Sequence, residues 1–201
     1  MCDRYALTSP PATLRARFGY DEAPEFPPRA NILPTEPIAV VTAGPFTGGR
    51  GRNFRLVRWG FLPGFVKDPA TFPLIVNARA ESVMEKASFA AAFKRRRCLA
   101  PADGFYAGRT GKAPLLQAAD GAPFGLAALH ETYLDASGGE IDTACILTTP
   151  ANALLSTFGD RMPAILGPAD FPAWLDHEAT PLGAALALLR PAPEAQLRLA
   201  S

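Results

Sequence analysis

Proline and glycine recur along the whole chain and limit how long any helix or strand can be. The 201 residues include 21 prolines and 17 glycines, and neither type is concentrated in a low-complexity tract. Proline lacks a backbone N–H and interrupts helices and central strands, whereas glycine favours turns. The sequence therefore predicts many short elements joined by ordered loops.

Short apolar runs dominate the middle of the chain, and helical patterns lie between and after them. We expect strands over residues 38–41, 54–61, 74–76, 124–130 and 144–149, a segment over 99–106 that turns at Asp103–Gly104, and helices over 8–18, 87–97, 168–176 and 182–189. The length suits one domain with a substantial core. The pattern predicts an α+β fold, a single domain over residues 1–201, with a mainly antiparallel, partly closed, barrel-like β-sheet flanked by helices.

The composition excludes several classes of protein. Hydrophobic residues make up 48% of the chain and charged residues 19%, which is typical of a globular protein and not of a disordered one. The formal net charge is +1, so any binding of nucleic acid must use a local patch. The apolar stretch over residues 182–189 is too short to cross a bilayer, and we expect no membrane partner.

The cysteine and histidine content argues against a metal site. The chain has three cysteines, Cys2, Cys98 and Cys145, without a CxxC pair, and only two histidines. Such a sparse set indicates a reducing compartment and neither a disulfide framework nor a zinc site. The N-terminus lacks the basic and apolar regions of a signal peptide. We therefore expect a cytoplasmic protein without metal or cofactor.

Cys2 follows the initiator Met1 directly, and Met is normally removed before a small residue. Removal would leave a free α-amine and a thiol on adjacent carbons, a pair that condenses with an aldehyde to form a thiazolidine. The terminal thiol can also act as a nucleophile whose own α-amine, with a pKa near ~8, is the base. Considered alone, Cys2 is better explained as an accidental cysteine in a frayed terminus, and the rest of the chain reverses that interpretation.

Five sequence strings are more specific than general folding signals. They are MCDRY (1–5), NILPTEP (31–37), RWGFLPGFVKDP (58–69), NARAESVMEKASFAAAFKRRRCLAPADGFY (77–106) and LTTPANALLSTFGDRMPAIL (147–166). In this order and spacing they resemble the SOS-response-associated peptidase (SRAP) family of abasic-site processing proteins. The resemblance runs from Cys2 to about Trp174, which is most of the chain.

The resemblance implies a specific activity. Members of the family recognise abasic sites in single-stranded DNA, often near a junction with duplex, and their N-terminal cysteine traps the sugar aldehyde as a thiazolidine crosslink. Cys2 would carry this reaction, and Asn77 matches an active-site asparagine that orients the sugar or the attacking terminus. Arg79 and Arg161 match arginines that hold the flanking phosphates. We expect a monomer that acts in the DNA damage response and associates with the nucleoid when bound to DNA.

Further residues are candidates from their chemistry. Asn77 and Arg79 alternate along an extended segment, so they can face the same side. Arg4 and Arg58 are additional candidates for phosphate contacts, although ion pairing explains them equally well. Trp59 is a candidate for stacking on unpaired bases, and its alternative role is a core aromatic.

Three positions depart from the family pattern. Ala107 replaces a catalytic glutamate, Gly159 replaces a histidine, and Asp3 stands where a glycine is usual. Loss of one general acid or base commonly lowers a rate by ~10²–10⁴. The sequence therefore predicts slow crosslinking with impaired reversal or autoproteolysis.

Two other functions remain open at this point. The chain is alternatively a non-catalytic single-stranded DNA-binding homologue, which Ala107 and Gly159 favour and which retention of Cys2 and Asn77 opposes. It is also compatible with an N-terminal-nucleophile amidohydrolase, because class II glutamine amidotransferases begin with a processed cysteine. No Ser/His/Asp or Cys/His arrangement supports a true protease.

Overall fold

The computed structural model describes residues 3–44, 51–108 and 113–200. Its strands are β1 Tyr5–Leu7, β2 Arg29–Ile32, β3 Pro37–Ala43, β4 Arg52–Trp59, β5 Asn77–Arg79, β6 Arg97–Ala102, β7 Gly104–Tyr106, β8 Leu115–Ala118, β9 Phe124–Leu134, β10 Glu140–Pro150, β11 Arg161–Pro163, β12 Ile165–Leu166 and β13 Leu197–Leu199. Its α-helices are α1 Pro11–Phe18, α2 Ala87–Arg95, α3 Ala153–Ser156, α4 Phe171–Leu175 and α5 Leu182–Ala187, and 3₁₀ turns lie at Ala80–Ser82 and Glu194–Gln196.

The larger sheet closes on itself. Its strands follow the order β10–β4–β3–β6–β9, and β9 pairs back to β10, so five strands form a barrel. All of these pairings are antiparallel except β10–β4, which is parallel. The predicted α+β class with a mainly antiparallel, barrel-like sheet is confirmed.

The smaller sheet places the start of the chain in its interior. Its order is β13–β8–β7–β1–β2, so β1 is hydrogen-bonded to a strand on each side. Tyr5 is opposite Phe105 of β7 and opposite Ile32 of β2. Both edges of β1 are occupied, and the backbone from Tyr5 onward is therefore held firmly in the fold.

The core lies between the sheets and the helices and is rich in aromatic side chains. Trp59 and Trp174 are completely buried, and each indole N–H donates to a backbone carbonyl, of Val76 at 3.0 Å and of Cys98 at 2.8 Å respectively. Phe18 of α1 stacks on Phe171 of α4 with ring centroids 5.1 Å apart. Buried indole groups that retain a hydrogen bond stabilise the core without the penalty of an unpaired donor.

Two local expectations, for residues 74–76 and 87–97, were wrong. The strand expected over residues 74–76 is instead β5, Asn77–Arg79, and Leu74 is 50% exposed. The helix expected over residues 87–97 ends at Arg95. Arg97 is 2% exposed, and its guanidinium donates to the carbonyls of Trp174, Phe93 and Asp176. This arginine therefore joins α2, β6 and α4.

No helix within the described ranges has both the length and the hydropathy that a bilayer span requires.

Candidate active site

The C-terminal half of β10 brings two short strands together. β5 pairs with one edge of β10 in parallel, and β11 pairs with the other edge in antiparallel orientation. On β5, Ala78 is buried, whereas Asn77 is partly exposed and Arg79 is exposed. Asn77 and Arg79 therefore share the outward face of β5, as their spacing predicted.

Arg161 of β11 makes a dense set of hydrogen bonds beside β5. Its guanidinium donates from Nη1 to Glu81 Oε1 at 2.7 Å and from Nη2 to Glu81 Oε2 at 2.9 Å. Nη2 also donates to the carbonyl of Thr148 at 2.6 Å and to its hydroxyl at 3.2 Å. Arg161 thus connects β11 and β10 to the 3₁₀ turn that follows β5.

The pair formed by Arg161 and Glu81 is unevenly exposed. The side chain of Arg161 is 10% exposed and that of Glu81 is 48% exposed. Hydrogen bonds from Arg161 lower the pKa of the Glu81 carboxyl, and the positive charge of Arg79 acts in the same direction. The three side chains form a small cluster with two positive charges and one negative charge.

The start of the chain lies next to a cleft on the same side of the fold. Tyr106 donates its backbone N–H to the carbonyl of Arg4 at 3.0 Å, and the Arg4 guanidinium lies 3.9 Å from the centre of the Tyr106 ring. The Tyr106 hydroxyl donates to the carbonyl of Ala30 at 3.0 Å, which fixes the ring. Asp3 is partly exposed, and Cys2, which precedes it, lies outside the described residues.

Two of the three positions that depart from the family pattern line this same cleft. Ala107 follows Tyr106 directly, and Gly159 belongs to the turn after α3; both face the cleft together with Arg161 and Phe158. Ala107 is buried, while a Cβ placed on Gly159 would meet no atom within 4 Å. The cleft therefore lacks a titratable side chain at both positions, although it has room for one at Gly159.

Trp59 does not reach the surface. Its side chain is 0% exposed, its indole N–H donates to Val76, and its ring packs edge-on against Tyr5 with centroids 5.4 Å apart. The prediction that Trp59 stacks on DNA bases is inconsistent with this burial. Trp59 instead connects β1, which carries the start of the chain, with the residue that precedes Asn77.

Arg58 is exposed and lies apart from the Arg161 cluster. Its position on β4 is opposite Thr143 of β10. Gly60 separates Arg58 from the exposed Leu74, because a Cβ on Gly60 would lie 2.6 Å from Leu74 Cδ1 and 3.4 Å from Arg58 Nη1. Arg58 and the exposed apolar side chain of Leu74 therefore both lie beside Gly60.

The remaining cysteines belong to the core, and His130 is partly buried. Cys98 and Cys145 are completely buried, and burial raises the pKa of both thiols. Burial, followed by the charges of Arg55 and Arg96, lowers the pKa of His130 to about 4. Neither of these thiols is an available nucleophile, and His130 is held in its neutral form.

A comparison with protein families gives the identity of the fold. The family model described as SOS response associated peptidase (SRAP) matches residues 1–201. The chain belongs to the SRAP family. Abasic site processing protein YoqW of Bacillus subtilis is 30% identical over 199 residues, which cover 95% of this chain and 87% of YoqW.

Solved structures share the SRAP fold. A crystal structure of a protein from Bordetella bronchiseptica has a TM-score of 0.82 and 28% identity, and the match covers 99% of this chain and 98% of that one. A crystal structure of a protein from Bacteroides thetaiotaomicron has a TM-score of 0.84 at 21% identity, with 98% and 90% covered. The architecture is therefore common to proteins with widely differing sequences.

Sequence reasoning placed several residues of the candidate site together and missed some of their contacts. It identified Arg79 and Arg161, but not the ion pair between Arg161 and Glu81. The NARAE string contains Glu81, yet its partner lies in a distant string, so no local pattern reveals the pair. The stacking of Arg4 on Tyr106 was missed for the same reason.

Proposed function

We propose that this protein binds single-stranded DNA containing an abasic site and captures the ring-opened sugar through Cys2. Membership of the SRAP family supports the proposal, as does the name of its relative YoqW, an abasic site processing protein. The main structural observation in favour of the proposal is the position of Arg4. Its backbone carbonyl accepts a hydrogen bond from Tyr106, and Tyr106 lines the same cleft as Arg161. Cys2 is two residues before Arg4 in the sequence.

The proposed reaction needs no redox partner. Hydrolytic removal of Met1 frees the α-amine of Cys2, and this amine adds to the sugar aldehyde and loses one water to form an imine. The thiol then adds across the C=N bond: a C–S bond forms at the former aldehyde carbon, and the thiol proton moves to nitrogen. The product is a thiazolidine that joins the DNA to the N-terminus of the protein.

The outward face of β5 is suited to hold the sugar and its phosphates. The Asn77 amide has both a donor and an acceptor for the sugar hydroxyls or the attacking amine. Arg79 is exposed and offers a planar fork to a phosphate. Arg4, with its guanidinium packed on Tyr106, and Arg58 supply further positive charge for the strand backbone.

Ala107 and Gly159 are the reason to expect a slow reaction. Neither residue can donate or accept a proton, so steps that need proton transfer must use the amine of Cys2, Asp3 or water. Proximity of amine, thiol and aldehyde still favours ring closure. We therefore propose slow crosslinking and a product that reverses poorly.

A non-catalytic single-stranded DNA-binding protein is the second candidate. The observation that favours it is that Ala107 and Gly159 line one cleft, so both substitutions remove titratable groups from a single site. In that case Arg79 and its neighbours would bind DNA without a covalent step.

Intact-protein mass spectrometry separates the two candidates. The protein, with loss of Met1 verified by its mass, is incubated with a single-stranded oligonucleotide that carries one abasic site. We expect a slowly forming adduct whose mass equals protein plus DNA minus one water, and no adduct for Cys2→Ala. Cys98→Ala is the matched control, because it removes a buried thiol and should still form the adduct.

The outcomes are distinct. Binding of the oligonucleotide without an adduct would favour the non-catalytic candidate. Absence of both binding and adduct, with the protein folded and Met1 removed, would contradict the DNA function.

A further inference from the structure

We infer that Glu81 restrains DNA binding by occupying Arg161, so that a DNA phosphate must displace the Glu81 carboxylate to reach this arginine. The inference rests on the proposed function. It concerns the arginine that the sequence assigned to phosphate binding, and it makes Glu81 a positioning residue that tunes the affinity of the same surface.

The hydrogen bonds of Arg161 leave little capacity for a second anion. Both terminal nitrogens donate to the two oxygens of Glu81, at 2.7 and 2.9 Å, in a bidentate arrangement. Nη2 is also bonded to Thr148. Guanidinium forks bind carboxylates and phosphates with the same geometry, so the two anions compete for one face of Arg161.

The exposures show which partner faces the solvent. Arg161 is 10% exposed, whereas Glu81 is 48% exposed. An approaching DNA strand therefore meets a carboxylate at this point and not a guanidinium. The Nε atom of Arg161 is buried and has no hydrogen-bond partner among the described residues.

Exchange of the Glu81 carboxylate for a phosphate is physically reasonable because the Glu81 side chain is 48% exposed to solvent. The Glu81 carboxylate can turn into solvent, so its displacement does not require the fold to open. Arg79 lies close enough to Glu81 to lower the pKa of its carboxyl, and it can hold the displaced carboxylate. The exchange would leave Arg161 on a phosphate and one negative charge beside Arg79.

The test measures the salt dependence of non-covalent binding. An unmodified single-stranded oligonucleotide is used, because it has no aldehyde and cannot form a crosslink. Fluorescence anisotropy at several salt concentrations gives Kd and the slope of log K against log salt. For Glu81→Gln we expect roughly fivefold tighter binding and a slope steeper by about 0.7, which is the value for one additional phosphate contact on a single strand.

Two further variants isolate the ion pair from general charge. Glu85→Gln removes the same charge from an exposed residue that forms no salt bridge in the described part of the chain, and its slope should equal that of the wild type. Glu81→Asp keeps the charge but shortens the side chain by one methylene group, which prevents the bidentate contact. Its affinity should fall between those of the wild type and Glu81→Gln.

The possible results distinguish a failure of the inference from a failure of the proposed function. Equal slopes for the wild type and Glu81→Gln, or equal gains for the Glu81 and Glu85 variants, would overturn the inference and leave the DNA function intact. Weaker binding by Glu81→Gln, with the fold verified by thermal unfolding, would show that Glu81 holds Arg161 in position for DNA and would also overturn the inference. If the wild type binds no single-stranded DNA, both the inference and the proposed function fail.

Discussion

At the scale of single residues, the backbone beside the site carries an identifiable strain. Thr35 has a φ of 74°, and it is the only non-glycine residue with positive φ among residues 3–44, 51–108 and 113–200. Its N–H donates to the carbonyl of Trp59 at 2.8 Å, and Trp59 donates back to Glu36 at 2.9 Å. These two hydrogen bonds hold the loop against β4 and keep a β-branched residue in a left-handed conformation.

Replacing Thr35 with glycine should therefore stabilise the protein. Glycine adopts positive φ without the steric cost of a β-branched side chain, and the exposed Thr35 side chain loses little burial. After the greater flexibility of glycine in the unfolded chain is subtracted, we expect a gain of about 1 kcal/mol in the free energy of unfolding. Urea denaturation of Thr35→Gly measures it.

Thr180→Gly is the control for Thr35→Gly. Thr180 has no positive φ, so glycine at this position should leave stability unchanged or lower it. A loss of stability in Thr35→Gly as large as that in the control would show that the conformation of Thr35 carries no strain.

At the scale of elements, Trp59 joins three strands that carry the site. It belongs to β4, packs against Tyr5 of β1 and donates to Val76, which precedes β5. Through these contacts Trp59 positions β1 and Asn77. Because its side chain is buried, it offers no surface to a DNA base.

We predict that Trp59→Phe slows crosslinking to an abasic site severalfold but changes the Kd for unmodified single-stranded DNA by less than about twofold. The smaller ring loosens the contacts that hold β1 and β5, while a stacked tryptophan would contribute about 1–3 kcal/mol to DNA affinity. Stability should fall by roughly 2 kcal/mol. Crosslinking time courses, DNA titrations and urea denaturation give the three quantities.

Trp174→Phe is matched to Trp59→Phe. Trp174 is equally buried and its indole also donates to a backbone carbonyl, but its contacts are with Phe93, Arg97 and Cys98. It should show a similar loss of stability with an unchanged crosslinking rate. A large loss of DNA affinity in Trp59→Phe alone would restore the stacking role.

At the scale of the whole molecule, the sequence predicted the architecture better than the site. Repeated short strands between prolines and glycines sufficed for an α+β fold with a barrel-like sheet. The contacts of Arg161 with Glu81 and of Arg4 with Tyr106 depend on strand order, because β5, β10 and β11 come from separate parts of the chain. The burial of Trp59 and Arg97 likewise follows from packing between elements, which a one-dimensional pattern does not contain.

The larger sheet also contains a partly buried histidine that couples stability to pH. His130 lies on β9 opposite Ala144 of β10, and its surroundings include Arg55, Arg96, Asp142 and His177. Burial is the main cause that lowers its pKa to about 4, from 6.5. The folded state therefore favours neutral His130, whereas the unfolded chain takes up a proton below pH 6.5.

This shift has a defined sign and range. The contribution of neutral His130 is complete above pH 6.5 and is lost progressively as the pH falls to about 4, by roughly 3 kcal/mol at most. Carboxyl groups with lowered pKa, such as Glu81, lose most of their contribution below pH 4.5, so the comparison is made above that pH. We therefore expect His130→Gln to flatten the dependence of unfolding free energy on pH between 4.5 and 6.5 relative to the wild type. Parallel urea-denaturation series of the two proteins across this range measure the difference. If the unfolding free energy depends on pH with the same slope in both proteins, His130 is protonated as readily in the folded state as in the unfolded chain.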